Sequence, residues 1–423
     1  TSMTISGPAV PVFCMYLVAA ERQGVDPAVR NGTLQTDIFK EYSAQKEWIF
    51  PPEPPLRLIG ALMAPCARPL PASHPLSAAR PPTLADPATA PRRPRALNAL
   101  NHAMVERIAE ALDAWEHDPA VTTVVVEGAG ERGLCAGGDV RAIREDALRG
   151  ELDAPLAFWR DEYALNARIA RYPKPYVALM DGVVMGGGVG ISAHGSVRVV
   201  TERSLVAMPE TGIGFVPDVG GTYLLSRAPG ELGTHLALTG RPVGAGDALL
   251  CGLADHYVPS AELPALVEAL AQAPEGEDAA ETVARLAHPA PEGELAAQRG
   301  WIDACWSAPT VEVALERLQE SGEPAAKETA ETVRGRSPLA LKTTLAAVRR
   351  ARALTSLEAV LDQEYRVSAH ALTWPDLSEG VRAQVVDKDR APKWVPATLD
   401  AVTDEAVAEA FVPLGEGREL GLA

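Results

Sequence analysis

An α/β fold with a helical C-terminal region is predicted for most of this chain, and three patterns predict it. β-branched runs closed by glycine, such as VTTVVVEGAG at 121–130, read as buried strands. In LNHAMVERIAEALDAWEHD at 100–118, Met104, Val105, Ile108, Leu112 and Trp115 recur at three- and four-residue spacing, the stripe of an amphipathic helix. Strand, glycine-rich turn and short helix then alternate to about residue 260, which suggests layers of sheet and helix.

The elements follow in order. PKPYVALMDG (173–182) and SVRVVTE (196–202) are further strands, with the turn GVVMGGGVGIS (182–192) and a short helix between them. From about 260 to 390 the pattern is helical, clearest in LALKTTLAAVRRAR (339–352) and SLEAVLDQEYRVSAHAL (356–372). Before all of this, PCARPLPASHPLSAARPPTLADPATAPRRP (65–94) holds no period. Proline at that density removes amide donors and blocks helix, so a disordered linker is expected over 67–93. Residues 8–20, PAVPVFCMYLVAA, resemble a signal-peptide core but lack a basic start, and read as a buried helix.

Composition limits the function. The 423 residues carry a formal net charge of −17, which disfavours nucleic acid or an anionic membrane as the main partner. Five scattered cysteines, none in a CxxC pair, argue against a disulfide framework or a cysteine zinc site. They fit a reducing compartment, and a cytoplasmic protein is expected. No apolar run reaches membrane-span length.

Candidate chemistry lies in three stretches. GLCAGGDV (133–140) and GVVMGGGVGIS each follow a predicted strand. Two such turns brought together could aim two N–H groups at one oxygen, an oxyanion hole for acyl transfer. Either turn alone reads equally well as a tight strand-to-helix connection. Gly188, Gly190 and Ala193 satisfy GxGxxA, but no long crossover helix follows, which disfavours a dinucleotide site. No GxSxG elbow and no paired metal spacing occur, so no metal is expected, and His194 reads as a turn residue. In AMPETGIGFVPDVGG (207–221), Glu210 and Asp218 sit among small apolar residues, a setting that raises a carboxyl pKa toward one useful for a base. Asp218 also reads as the N-cap of a helix beginning near Gly220. Glu162, in WRDEYALN, reads alone as surface.

Taken together, RPRALNAL, CAGGDV, EYALN, YPKPYVALMDGVVMGGGVGIS, AMPETGIGFVPDVGG and DKDRAPKW occur in the order of the crotonase (enoyl-CoA hydratase/isomerase) superfamily. Residues ~94–395 resemble that superfamily, and within it the 3-hydroxyisobutyryl-CoA hydrolase branch. The resemblance implies a ββα-spiral core (94–260), a C-terminal helical region (261–395) that commonly builds trimeric or related oligomers, and a tail (396–423). It implies a CoA-thioester hydrolase of valine breakdown, with coenzyme A as part of the substrate and no other cofactor. Its oxyanion amides map to Gly138 and Gly187. Its catalytic and substrate-contacting carboxylates map to Glu162, Glu210 and Asp218, and its CoA-approaching segment to Arg95, Ala96 and Leu97. Crotonase hydratases carry a second glutamate after the glycine run; here that position is Gly190, which favours hydrolysis over hydration. The other readings are a hydratase or isomerase of the same superfamily, and an inactive fusion product.

Residues 1–66 resemble something else. MTISGPAVPVFCMYLVAAERQGVD, GTLQTDIFKEY and IFPPEPPLRLIG are similar to part of the substrate barrel of adenosylcobalamin-dependent acyl-CoA mutases of the methylmalonyl-CoA type. Gln35 matches a substrate-contacting glutamine, and Gln45 replaces an arginine of methylmalonyl-specific members. So short a fragment cannot close a (β/α) barrel, and no mutase activity is expected. The family's β-hairpin before RPRALNAL is replaced by the proline-rich stretch, so the chain reads as a fusion whose core sheet lacks edge strands.

Overall fold

The structure, a computed structural model, describes Ser2–Thr4, Asn31–Gln35 and Ala72–Leu76 by their backbone, then Arg93 and residues 96–423 apart from residue 275. Two units result, Thr1–Pro87 and Ala88–Ala423. In the first, β1 (Ser2–Thr4), β2 (Asn31–Gln35) and β3 (Ala72–Leu76) form a parallel sheet in the order β1-β2-β3. Strand β3 corrects part of the expected linker: ASHPL is extended and paired despite Pro75. An edge strand pairs on one side only, so it can carry a residue without an N–H. The helix expected at 8–20 and most of 67–93 fall outside the described residues.

The second unit winds its strands between two parallel sheets. Strands β4 (Val124–Val126), β6 (Tyr176–Met180), β8 (Val197–Val200) and β10 (His256–Tyr257) form one, in the order β10-β8-β6-β4. Strands β5 (Gly133–Cys135), β7 (Val183–Met185) and β9 (Leu205–Ala207) form the other. Successive strands therefore alternate between sheets. The corner from β6 to β7 needs Gly182: its φ is +68°, and a Cβ there would lie 2.7 Å from the Arg132 carbonyl oxygen. Strand β6 is buried along its whole length, which is why YVALM shows no polar alternation. Among the described residues β4 stands at the edge of its sheet.

Helices pack around these sheets. Helix α1 (His102–Glu116) starts at Asn101, whose side chain accepts from the Met104 N–H, and buries Met104, Val105 and Leu112. Helix α2 (Val140–Arg149) starts at Asp139 and ends at Gly150 in the left-handed region. Helix α3 (Asp153–Ala170) buries Phe158, Glu162, Leu165, Asn166 and Ile169 along one face. Glu162 is thus a core-facing residue and not the surface residue its charged neighbours suggest. Helix α4 (Gly187–Gly190) is a single turn, too short for a dinucleotide crossover.

The region after residue 260 is helical as expected, with α5 (Pro338–Ala351) and α6 (Leu357–Ala371) burying long faces. One hydrophobic core runs from Leu100 to Leu420 through both halves of the unit. The last residues pack onto the same body: Leu420 is buried, and Arg160 donates to the Arg418 and Glu419 carbonyls.

Candidate active site

The two glycine turns meet at Leu100. A parallel bridge joins Leu100 to Gly138, in which the Leu100 N–H donates to the Gly137 oxygen and the Asp139 N–H to the Leu100 oxygen. The intervening Gly138 N–H therefore points away from Leu100. A Cβ on Gly187 would sit 3.3 Å from the Gly138 nitrogen, which places the two turns against one another. Gly187 is the first residue of α4, where an N–H has no intrahelical acceptor. The structure thus sets the Gly138 and Gly187 backbones side by side.

Three carboxylates converge there. Glu162 arrives from α3, and its Oε1 would be 2.6 Å from a Cβ on Gly187. Glu210 opens a 3-10 turn (Glu210–Ile213) directly after β9 and Pro209; its Oε1 would be 2.9 Å from a Cβ on Gly186. Glycine at 186 and 187 therefore leaves the volume that each carboxylate faces. Asp218 follows on the same loop, and all three side chains are buried. Glu162 Oε1 and Glu210 Oε2 have no hydrogen-bond partner within the protein. Burial, then the charge of Asp218, pushes the carboxyls of Glu162 and Glu210 well above the usual range. Burial raises Asp218 to about 7, while the Tyr163 hydroxyl opposes the rise by donating to its Oδ2 at 2.7 Å.

Asp218 is not the helix cap. The short helix of this loop (Gly221–Ser226) is instead capped by Glu364 of α6. Its carboxylate accepts from the Gly220 N–H (2.6 Å), the Thr222 N–H (2.9 Å) and the Thr222 hydroxyl (2.5 Å). Glu364 and Ser368, whose Oγ lies 2.8 Å from the Tyr163 hydroxyl, were not evident from sequence. Both sit on the buried stripe of α6, and a polar residue on such a stripe is the signal that could have found them. His194 is structural, as its turn setting suggested: buried, it pairs through Nε2 with the Val219 carbonyl (2.8 Å), and burial lowers it to about 4.

Gly190 is the position at which the resemblance sets glycine against a hydratase's second glutamate. A Cβ there would lie 2.7 Å from Val219 Cβ and 2.9 Å from Asn166 Nδ2, so neighbouring side chains already occupy that direction. Of the segment expected near CoA, Ala96 is exposed and Leu97 is half-buried with φ +52°, its carbonyl accepting from the Ala136 N–H beside the first glycine turn. Arg95 lies outside the described residues. Among the described residues no cluster of His, Cys, Asp and Glu is arranged to hold a metal, and no helix is long and apolar enough to cross a membrane.

The chain belongs to the enoyl-CoA hydratase/isomerase family, whose model matches residues 91–411. Within that family it is 44% identical, over 76% of this chain and 85% of the relative, to the mitochondrial 3-hydroxyisobutyryl-CoA hydrolase of Rattus norvegicus. The Homo sapiens protein of the same name is 42% identical over the same shares. A crystal structure of a carnitinyl-CoA dehydratase from Mycobacterium thermoresistibile is 52% identical, with a TM-score of 0.74, covering 78% of this chain and 94% of that one. An enoyl-CoA hydratase from Rhodobacter sphaeroides is 42% identical with a TM-score of 0.73, over 78% and 95%. The crotonase-like fold is thereby established. Residues 1–81 match the methylmalonyl-CoA mutase family model, which extends the mutase-like segment beyond residue 66 and takes in β3.

The expected cytoplasmic location is overturned by these relatives, which are named as mitochondrial enzymes. The inference rested on unpaired cysteines. Buried free thiols such as Cys135, Cys251 and Cys305 disfavour an oxidising compartment but do not distinguish one reducing compartment from another.

Proposed function

We propose that this protein hydrolyses a CoA thioester, with 3-hydroxyisobutyryl-CoA as substrate and 3-hydroxyisobutyrate and CoA as products. The observation that supports the reading is a buried Glu210 and Asp218 in the segment facing the glycine turns, with the Gly138 and Gly187 backbones side by side and the space at Gly190 already filled by Val219 and Asn166. The curated relatives at 41–44% identity bear names of that activity.

In this reading the thioester oxygen lies between the Gly138 and Gly187 N–H groups. Glu210 acts as base or nucleophile. As a base it takes a proton from water while the water oxygen attacks the carbonyl carbon. As a nucleophile its own oxygen attacks, and water then cleaves the resulting anhydride. Either way the carbonyl electrons move onto oxygen, where two fixed donors stabilise them without reorganisation. The C–S bond breaks as the oxyanion collapses, and the departing sulfur takes a proton. Asp218, raised to about 7, serves that exchange, and Glu162 contacts the hydroxyl end of the acyl group. Ala96 and Leu97, with Arg95, approach the CoA. No metal or redox group enters these steps. A homo-oligomer built through the C-terminal helices belongs to the same reading.

A second reading is hydration or dehydration, favoured by the name of the 52% identical solved structure. Incubation with 3-hydroxyisobutyryl-CoA and separately with crotonyl-CoA separates the two. Hydrolysis releases free thiol; hydration consumes the double bond and releases none. Thiol release from the first substrate, with negligible change in the second, is expected. Hydration without thiol would replace the hydrolase reading.

A further inference from the structure

Behind Asp218 lie three buried polar groups that the proposed chemistry leaves without a role: Tyr163, Ser368 and Glu364. The Tyr163 hydroxyl donates to Asp218 Oδ2 at 2.7 Å and lies 2.8 Å from Ser368 Oγ. With the phenol proton committed to the carboxylate, the second bond runs from the Ser368 hydroxyl to the phenol oxygen. Linked donors of this kind strengthen one another in a dry interior. Glu364 stands one helical turn before Ser368 on α6, on the same face. Its carboxylate holds the Gly220 and Thr222 N–H groups, just beyond Asp218 in the chain. One helix face thus grips both the Asp218 side chain, through Tyr163, and the backbone that follows it.

This grip acts on a strained loop. Val219, between Asp218 and Gly220, has φ +53°, a costly conformation for a β-branched residue. Such a backbone persists only when its surroundings over-determine it, and His194 holds the Val219 carbonyl while Glu364 holds the next N–H.

We propose that Tyr163 is a positioning residue for Asp218, with Ser368 and Glu364 of α6 as its braces, so that the C-terminal helical region is a working part of the active site. The proposal rests on the reading that Asp218 serves thioester cleavage. The groups facing Asp218 are Glu162 and Tyr163 from α3, Glu210 from the 3-10 turn and Glu364 from α6; His194 faces the adjoining peptide. Burial opposes ionisation of Asp218, and the phenol hydroxyl favours it. Removing that hydroxyl should therefore raise the pH at which Asp218 ionises.

The test is kcat and KM for 3-hydroxyisobutyryl-CoA across pH in the full chain, for Tyr163→Phe, Ser368→Ala and Asp218→Asn. Phenylalanine keeps the ring volume. Tyr163→Phe should lower kcat by about tenfold or more, leave KM within about twofold, and move the alkaline limb of the kcat profile, where Asp218 gives up its proton, to higher pH. Ser368→Ala should move the limb the same way by less. A residue with only a packing role would lower the melting temperature and leave the limb in place. A folded Tyr163→Phe with unchanged kcat and limb, beside an impaired Asp218→Asn, overturns the positioning role alone. Should Tyr163→Phe not fold, Ser368→Ala decides: a shifted limb supports the proposal, and a superimposable profile overturns it. If Asp218→Asn turns over like the parent, the underlying reading of Asp218 fails, and the positioning role with it.

Discussion

Adding one methyl group at Gly190 tests whether packing keeps a second carboxylate out of this active site. The new Cβ would lie 2.7 Å from Val219 Cβ, 3.1 Å from its Cγ2 and 2.9 Å from Asn166 Nδ2. Carbon atoms in van der Waals contact normally stand about 3.5–4.0 Å apart. Relief therefore needs a displacement approaching an ångström. Val219 and Asn166 are both buried, so neither can swing into solvent, and Val219 is already in a left-handed conformation. Forcing a methyl group into such a site costs about 1–3 kcal/mol. Alanine recovers roughly 0.5–1 kcal/mol of backbone entropy relative to glycine in a helix, so the steric term wins. Gly190→Ala should melt several degrees below the parent, at roughly 2–4 °C per kcal/mol for a large domain. It should also lose turnover, because Val219 adjoins Asp218. Gly190→Glu should be less stable still and gain no hydration of crotonyl-CoA. The assays are a circular dichroism melt and product analysis of both substrates. An alanine variant that melts at or above the parent's temperature would refute the packing argument, as would a glutamate variant that hydrates crotonyl-CoA efficiently.

Three further outcomes are expected. Asp218→Asn should lower kcat, and its combination with Glu210→Gln should lose less than the product of the single losses, as for groups acting as a unit; full multiplicative loss in the steady-state rates would show that they act independently. Stability should fall as pH rises. Asp218 and Glu364 have folded-state values raised to about 7 and about 8, so the folded protein binds extra protons, and this contribution is complete below their unfolded values and lost as pH climbs through the folded ones. Thermal melts from about pH 7 to about pH 9, above the range in which buried His194 takes up a proton on unfolding, should show that decline, and Glu364→Gln should flatten it; an identical slope in the variant would remove Glu364 from the account. Deleting residues 1–87 should leave thiol-release turnover within about twofold, less than ~0.5 kcal/mol of barrier, since every residue proposed for the site belongs to the second unit; a hundredfold loss in a folded protein would show recruitment of the mutase-like segment.

The readable parts of this fold are those whose cause is local. The stripe of Met104, Val105 and Leu112 marked α1, and the β-branched runs marked β4 and β8. Glu210 and Asp218 stood out because no water-seeking neighbours surround them in the chain. What escaped notice has distant causes. Glu162 lies in a charged segment, and only its spacing from Phe158 and Ile169 shows that it faces inward. Glu364 binds an N–H 144 residues away, and its stripe with Leu361, Val367 and Ser368 reads first as ordinary core. The cap reading of Asp218 failed because Glu364 supplies the cap from another helix and frees Asp218 for Tyr163. The proline-rich stretch hid β3 because composition reports average tendency, while an edge strand asks only for a few extended residues.

The most direct test of the central claim is single-substitution kinetics on Glu210→Gln. Glutamine keeps the side chain's size and removes its ability to attack or accept a proton as a carboxylate. Thiol release from 3-hydroxyisobutyryl-CoA and binding of the CoA ester should be measured on the same folded preparation. The account predicts a fall in kcat of at least ~10², the low end for losing a general base, with binding retained. A variant that binds the ester and releases thiol at the parent's rate would contradict it.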